Sequence, residues 1–231
     1  MLNTLKMLTV ALAVSCTASA SVTDNQLSQQ EQQTGWQLLF NGKDMSQWRN
    51  FKSTGLNSQW QIKNGAMTLT QGGGGDILTK KMYQNFELQL NWKIAKKGNS
   101  GIFVLADETG NAIYSHAPEV QILDNKEHPD NKIDSHLAGS IYDLFAAPSS
   151  AHKPALSWNH VRIKMHNDHL EVWQNGVSTT SIVIGSSTWN TLVANSKFAT
   201  WQGFAQGKKG HIGLQDHGDK VWFKNIKIKE L

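Results

Sequence analysis

Apolar and polar residues alternate without a break through Phe86-Glu87-Leu88-Gln89-Leu90-Asn91-Trp92-Lys93-Ile94, so Phe86, Leu88, Leu90, Trp92 and Ile94 face one way. Val161-Arg162-Ile163-Lys164-Met165 repeats the pattern, and Leu170-Glu171-Val172-Trp173-Gln174 follows after Asn167-Asp168. A period of two belongs to a strand with one buried face. Asn175-Gly176 then predicts a hairpin turn, and Asn64-Gly65 predicts another between Trp60-Gln61-Ile62 and Met67-Thr68-Leu69. Val221 and Phe223 alternate, as do Ile226 and Ile228, but the two pairs are one residue out of phase. A β-bulge at Lys224-Asn225 accounts for the slip. Helical signals are confined to Thr188–Asn195 and the region near Asp44. Short strands with Gly and Asn turns predict one all-β domain, a two-sheet antiparallel sandwich.

The amino terminus reads differently. Residues 1–20 combine Lys6, an apolar stretch from Met7 to Val14 and the small-residue site Ala18-Ser19-Ala20, the signature of a secretory signal peptide. Cleavage after Ala20 gives a periplasmic or secreted protein. Leu12-Ala13-Val14-Ser15-Cys16 also matches a lipoprotein box loosely, which gives the alternative of a lipid anchor at Cys16 and an outer-membrane lipoprotein. Residues 21–33, with Gln26, Gln29, Gln30, Gln32 and Gln33, show no apolar period and are expected to be a flexible linker, so the domain spans 34–231. No run approaches the ~18 apolar residues of a membrane span.

Composition narrows the function. Charged residues are 17% of the 231, too few for a disordered chain or a coiled coil. A single Cys excludes an internal disulfide framework and a cysteine-rich zinc site. The net charge of +4 comes from scattered lysines with no basic run, so nucleic acid is not the expected partner. There is no dinucleotide fingerprint, and Gly72–Gly75 lacks the Lys-Ser/Thr of a phosphate loop and reads as a hairpin end.

The candidate chemistry lies in four places. In a strand, Glu119 and Gln121 share one face while Val120 and Ile122 point into the core, and a bulge near Leu123 would return Asp124 to the Glu119 face. Two carboxylates and an amide on one face suit acid–base work on a sugar, but an ordinary half-exposed strand looks the same. Asp216-His217 ends a strand from His211 to Gln215; it reads as an acid, base or metal pair, or as a turn in which Asp216 caps backbone and His217 is exposed. Gly98-Asn99-Ser100-Gly101 puts small polar groups between glycines, as a close-approach site or a plain turn. The loop with Asp124, His128, Asp130, Asp134 and His136 offers candidate ligands for a divalent ion without a calcium-loop spacing. Of the nine Trp, Trp92 and Trp173 are expected in the core. Trp48, Trp60, Trp189 and Trp201, near loops, are candidates for stacking on sugar rings.

Several of these segments, taken in order, resemble the 3-keto-disaccharide hydrolase domain family. They are Trp36-Gln37-Leu38-Leu39-Phe40-Asn41-Gly42-Lys43-Asp44 through Trp48, Gly98-Asn99-Ser100-Gly101-Ile102, Glu119-Val120-Gln121-Ile122-Leu123-Asp124, Ala138-Gly139-Ser140-Ile141-Tyr142 and Ile212-Gly213-Leu214-Gln215-Asp216-His217-Gly218. The resemblance covers about residues 35–231 and implies a concanavalin A-like jelly-roll sandwich with a concave sugar-binding face. The Glu119…Asp124 strand is also similar to the catalytic strand of laminarinase-type glycosidases, but Gln121 stands where those carry a middle Asp.

The family implies cleavage of a glycoside already oxidised at C3, by removal of the C2 proton and elimination or net hydrolysis. On that reading Glu119 is the base or a metal ligand, and His217 the partner acid or ligand. Asp124 holds His128 or the base, Asn99, Ser100, Gln121 and Gln215 bind substrate, and Tyr142 lines the pocket. Glu119, His217 and His128 are the metal candidates, with no cofactor certain and a small carbohydrate as the partner. A non-catalytic lectin and a conventional β-glucan glycosidase are the alternatives.

Overall fold

The computed structural model describes residues 23–231. The signal peptide expected over residues 1–20 and Cys16 lie outside the described residues. A short helix, α1 (Gln29–Gln33), leads into β1 (Trp36–Leu38), β2 (Trp48–Asn50), β3 (Trp60–Lys63), β4 (Ala66–Leu69), β5 (Ile77–Thr79), β6 (Phe86–Ile94), β7 (Asn99–Ala106) and β8 (Glu119–Leu123). Then come β9 (Asn159–His166), β10 (His169–Gln174), β11 (Val177–Val183), α2 (Ser187–Ala194), β12 (His211–Leu214) and β13 (Val221–Glu230). Eight strands form one sheet in the order β11-β10-β9-β6-β13-β4-β3, with β1 also on β13; the other five form β2-β5-β12-β7-β8. Every described pairing is antiparallel, and the two sheets stack as a jelly-roll sandwich.

The strict alternation in β6 and β9 appears as strict alternation of burial. Leu88, Leu90, Trp92, Val161, Ile163 and Val172 meet Ile102, Val104, Val120, Ile122, Ile212 and Leu214 of the smaller sheet in one core. The hairpin turns fall where Asn-Gly places them: Asn64 and Gly65 have φ of 53° and 71°, and Asn175 and Gly176 have 52° and 84°. Two successive positive φ values match the right-handed twist of the flanking strands. The slip in β13 is a bulge: Lys224 faces Asn91 and Lys227 faces Gln89, three steps against two, with Asn225 at φ 55°.

Several expectations are corrected. The stretch before Thr34 is not a free tether. The bulge takes the Asn225 N–H out of the β-ladder, and the Asn25 side chain accepts it at 2.8 Å. The Asn25 N–H in turn donates to the Asn225 side chain at 2.6 Å, and its side-chain amide donates to Gly65 O at 2.8 Å. Ser28 and Glu31 form a capping box on α1, and Lys227 pairs with Glu31. Polar anchors of this kind leave no hydrophobic period to read.

Near Asp44 there is no helix, because the Asn41 side chain accepts the N–H groups of Lys43 and Asp44 and holds a turn. The second helical signal does become α2, capped by Ser186, whose side chain accepts from Trp189 N. Gly72–Gly75 is no hairpin end but a crossover from β4 in the larger sheet to β5 in the smaller. Trp173 leaves the core: Val172 and Gln174 point inward, so it lies on the outer face under Arg162, 4.2 Å from the ring centre. Trp48, Trp60 and Trp189 are core residues rather than stacking platforms.

Candidate active site

The smaller sheet carries the site on its outer face. Alternation turns Val120 and Ile122 of β8 into the core and Glu119 and Gln121 the other way. Opposite them in register on β7 stand Phe103 and Gly101. Gly101 is required for space rather than for backbone freedom, since a Cβ there would lie 2.0 Å from Glu119 Oε1. The Glu119 carboxyl therefore lies flat across β7. Loops cover this face, so β7 and β8 are buried along their whole length.

The resulting pocket has a volume of about 360 Å³. Asn99, Glu119, Gln121, Gln215 and His217 line it from the sheet and the turn after β12. Tyr142, Lys197 and Trp201 close it from the loops. Asn99 Oδ1, Gln121 Nε2 and Gln215 Oε1 are buried with no hydrogen-bond partner. Buried polar atoms are rarely left so, and three of them on residues that line one pocket suit a hydroxyl-rich ligand.

Electrostatics separates one group from the rest. Burial pushes the Glu119 carboxyl up to about 8; the Lys197 ammonium works against this, while Asp76 and Asp130 add to it. Burial also lowers the Lys197 pKa, against the pull of Glu119, Asp143 and Asp130. Lys197 Nζ stands 4.1 Å from the centre of the Tyr142 ring, with Phe198 at 5.1 Å and Trp201 at 5.7 Å. The Tyr142 hydroxyl donates to Asp130 at 3.1 Å, and burial followed by Asp130 raises its pKa. Under the Tyr142 ring His136 stacks at 4.2 Å, its two nitrogens against Asp130 at 2.8 Å and Asp143 at 2.9 Å. Asp143 also accepts the Lys197 N–H at 2.8 Å, which ties the lysine to the same network.

Of the residues expected from the sequence, Asn99, Glu119, Gln121, Tyr142, Gln215 and His217 share this pocket. Asp124 and Ser100 do not. β7 and β8 pair without a register shift, so no bulge returns Asp124 to the Glu119 face. Its carboxylate accepts the N–H groups of Lys97 at 2.8 Å and Lys126 at 3.1 Å, and holds neither His128 nor Glu119. Ser100 lies on the opposite face from Asn99 and Gly101, donating to Gln215 O at 2.9 Å. Asp216 does not pair with His217 but caps backbone, accepting from Gly75 N at 2.8 Å and Gly218 N at 2.9 Å. His217 is exposed at the rim, its ring centre 6.4 Å from that of His128. Among the described residues no group of three or more His, Cys, Asp or Glu is placed to hold a metal ion.

Lys197, Tyr114 and Phe198 also line the pocket, and no sequence motif marks them. Lys197 belongs to no motif and reaches Glu119 only because the segment after α2 folds over the sheet. Trp201 was one of four loop tryptophans, and nothing in the sequence ranks it above Trp48, Trp60 or Trp189.

The comparisons agree with this geometry. A 3-keto-disaccharide hydrolase of Bacteroides thetaiotaomicron is 34% identical over 228 residues, which cover 85% of this chain and 79% of the relative. A protein of Parabacteroides distasonis put forward as a glycosyl hydrolase superposes with a TM-score of 0.85 at 31% identity, over 90% of this chain and 100% of its own. A second protein from the same organism, described in the same terms, gives 0.68 at 30% identity, over 85% and 99%. The family model described as 3-keto-alpha-glucoside-1,2-lyase-like domain matches residues 35–229, and the chain belongs to that family.

Proposed function

We propose that this carbohydrate-acting hydrolase cleaves the glycosidic bond of 3-keto-disaccharides by removing the C2 proton and expelling the group on C1. One observation carries the reading: among the described residues, Glu119 is the only carboxylate lining the pocket. Ordinary glycoside hydrolysis needs two carboxyl groups flanking the bond. The second one expected from the sequence, Asp124, is committed to backbone N–H groups elsewhere. A C3 ketone removes that need, because it acidifies the neighbouring C2–H and one base suffices.

In this scheme the ionised Glu119 takes the C2 proton. A carboxylate whose pKa is raised toward neutrality by burial is a stronger base than an exposed one. Negative charge then collects on the C3 oxygen, where the Lys197 ammonium and the unpartnered amide of Gln121 offer stabilisation in a partly dry site. The C1–O bond breaks and His217, at the rim, gives the leaving oxygen its proton. The product is a C1–C2 enol ether of the keto sugar together with a free alcohol. Addition of water across that double bond completes a net hydrolysis. Asn99 and Gln215 accept hydrogen bonds from ring hydroxyls.

A lectin would use the aromatic lining of Tyr114 and Trp201 but has no use for a buried acid–base group. The raised pKa of Glu119 favours the enzyme. Export is part of the proposal and is supported by residues 1–20 alone: the amino terminus of the mature protein from cells is expected at Ser21, or at a lipidated Cys16, and mass spectrometry reads which. For the reaction, the protein is incubated with a 3-keto-disaccharide and with its unoxidised parent in deuterated buffer, followed by proton NMR. Release from the keto substrate alone, with loss or exchange of the C2 proton, is expected. Equal release from the parent, or retention of the C2 proton in every product, overturns the proposal.

A further inference from the structure

A second, shallower pocket of about 390 Å³ lies next to the first. The two share Tyr114 and Trp201 as lining residues, and otherwise have none in common. Tyr114 comes from the single turn Ile113–Ser115 and is 45% exposed. Trp201 follows the turn Lys197–Thr200 and its ring centre lies 5.9 Å from that of Tyr114. Phe198 fixes Trp201 edge-on at 5.1 Å, and is itself stacked on Phe204 at 4.0 Å. An aromatic pair, Tyr114 exposed and Trp201 half-buried and braced from the core, thus forms a wall between two hollows.

We propose that the second pocket is the subsite for the leaving sugar of a disaccharide, with the scissile bond crossing the Tyr114–Trp201 wall. The inference rests on the reading above for which ring is attacked. Glu119 fixes the keto ring in the first pocket, and C1 is the atom next to the one it deprotonates. The leaving group must therefore start in the first pocket and exit toward a neighbouring space. The flat rings of the wall suit the C–H faces of a pyranose on either side.

The polar lining names the class of sugar. Thr109, Asn111, Ser115 and Gln202 offer hydroxyls and amides, and no Lys or Arg lines the pocket. His116, which also lines it, is engaged: its Nδ1 faces both oxygens of Asp107, at 3.0 and 3.1 Å, and Thr109 donates to that carboxylate at 2.8 Å. A neutral hexose fits this surface, and a uronic acid finds no Lys or Arg there to pair with.

The test uses two keto substrates, a 3-keto-disaccharide and a methyl 3-keto-glucoside, which has no second ring. Ala112 lines only the second pocket and has φ of −136°, which any residue adopts, so Ala112→Trp fills the hollow without backbone strain. The expected result is a KM raised tenfold or more for the disaccharide, with kcat/KM for the methyl glycoside within twofold of the parent. Asn111→Ala, an exposed position in the same pocket, is the milder variant and is expected to raise the same KM severalfold. Equal effects on both substrates, or none on either, overturn the subsite. If the parent protein cleaves neither keto substrate, the functional reading fails instead. The subsite is then read by titrating the unoxidised disaccharide and glucose by NMR: loss of disaccharide affinity alone in both variants supports it, and parallel changes overturn it.

Discussion

At the residue scale, neighbouring letters in the sequence have unlike fates. Glu119 and Asp124 are both buried carboxylates in the same short stretch. One lies across a glycine into a pocket with its pKa raised to about 8, and the other is spent on two backbone N–H groups. Their replacements should therefore read differently. Glu119→Gln is expected to lower kcat for the keto substrate by about 10²–10⁴-fold, the range for a lost general base, with the fold intact by circular dichroism. Asp124→Asn is expected to cost about 1–3 kcal/mol in urea melts, with kcat within a few-fold of the parent.

The raised pKa makes two further predictions. Activity needs the ionised Glu119, so the rising limb of the kcat/KM profile should have its midpoint at about 8, while the need for a protonated His217 limits the profile at higher pH. Stability should run the other way. Between the ordinary value of 4.5 and about 8, the folded state keeps a proton that the unfolded chain has lost. Folding stability falls as pH rises through that window. Glu119→Gln removes this slope, and at pH 9 the variant should be more stable than the parent by on the order of a few kcal/mol. Urea melts at pH 5 and pH 9 check the sign.

At the element scale, the loops over the smaller sheet set the chemistry of the strands. The segment 124–145 and the turn after α2 meet through His136, Tyr142, Asp143 and Lys197. Lys197 is the group that opposes the upward shift of Glu119. Lys197→Met is expected to move the midpoint of the rising limb of the kcat/KM profile above about 8 and to lower its maximum. A purely structural lysine would lower the maximum without moving that midpoint. The strand pattern was legible because each strand has a dry side and a wetter side, and burial of one side enforces a period of two. The bulge in β13 was legible for the same reason, since it is a break in that period. The loops obey no period. Their residues are held by polar pairs between segments far apart in sequence, such as His136 with Asp143 or Lys197 with Asp143.

At the scale of the whole molecule, the arm and the site lie on different sheets. Residues 24–31 dock on β13 in the larger sheet, and the pocket opens on the outer face of the smaller one. A chain beginning at Thr34 loses the three Asn25 hydrogen bonds and is expected to be less stable by about 1–3 kcal/mol, with kcat unchanged. A thermal melt beside an activity assay separates the two effects.

The sequence by itself determined the sandwich, its hairpins and its bulge, because hydrophobic periodicity and Asn-Gly turns are local consequences of which side chains must leave water. It also placed Glu119 and Gln121 on one face, because alternation within a strand needs no knowledge of the partner strand. Only the tertiary structure decided that Asp124 and Ser100 turn away from the pocket and that Asn25 anchors an arm. It alone brought Lys197 and Trp201 to Glu119. Those outcomes depend on strand register, on sheet order and on which loop crosses which sheet. Each is fixed by contacts between residues tens of positions apart, and no local pattern in the chain encodes them.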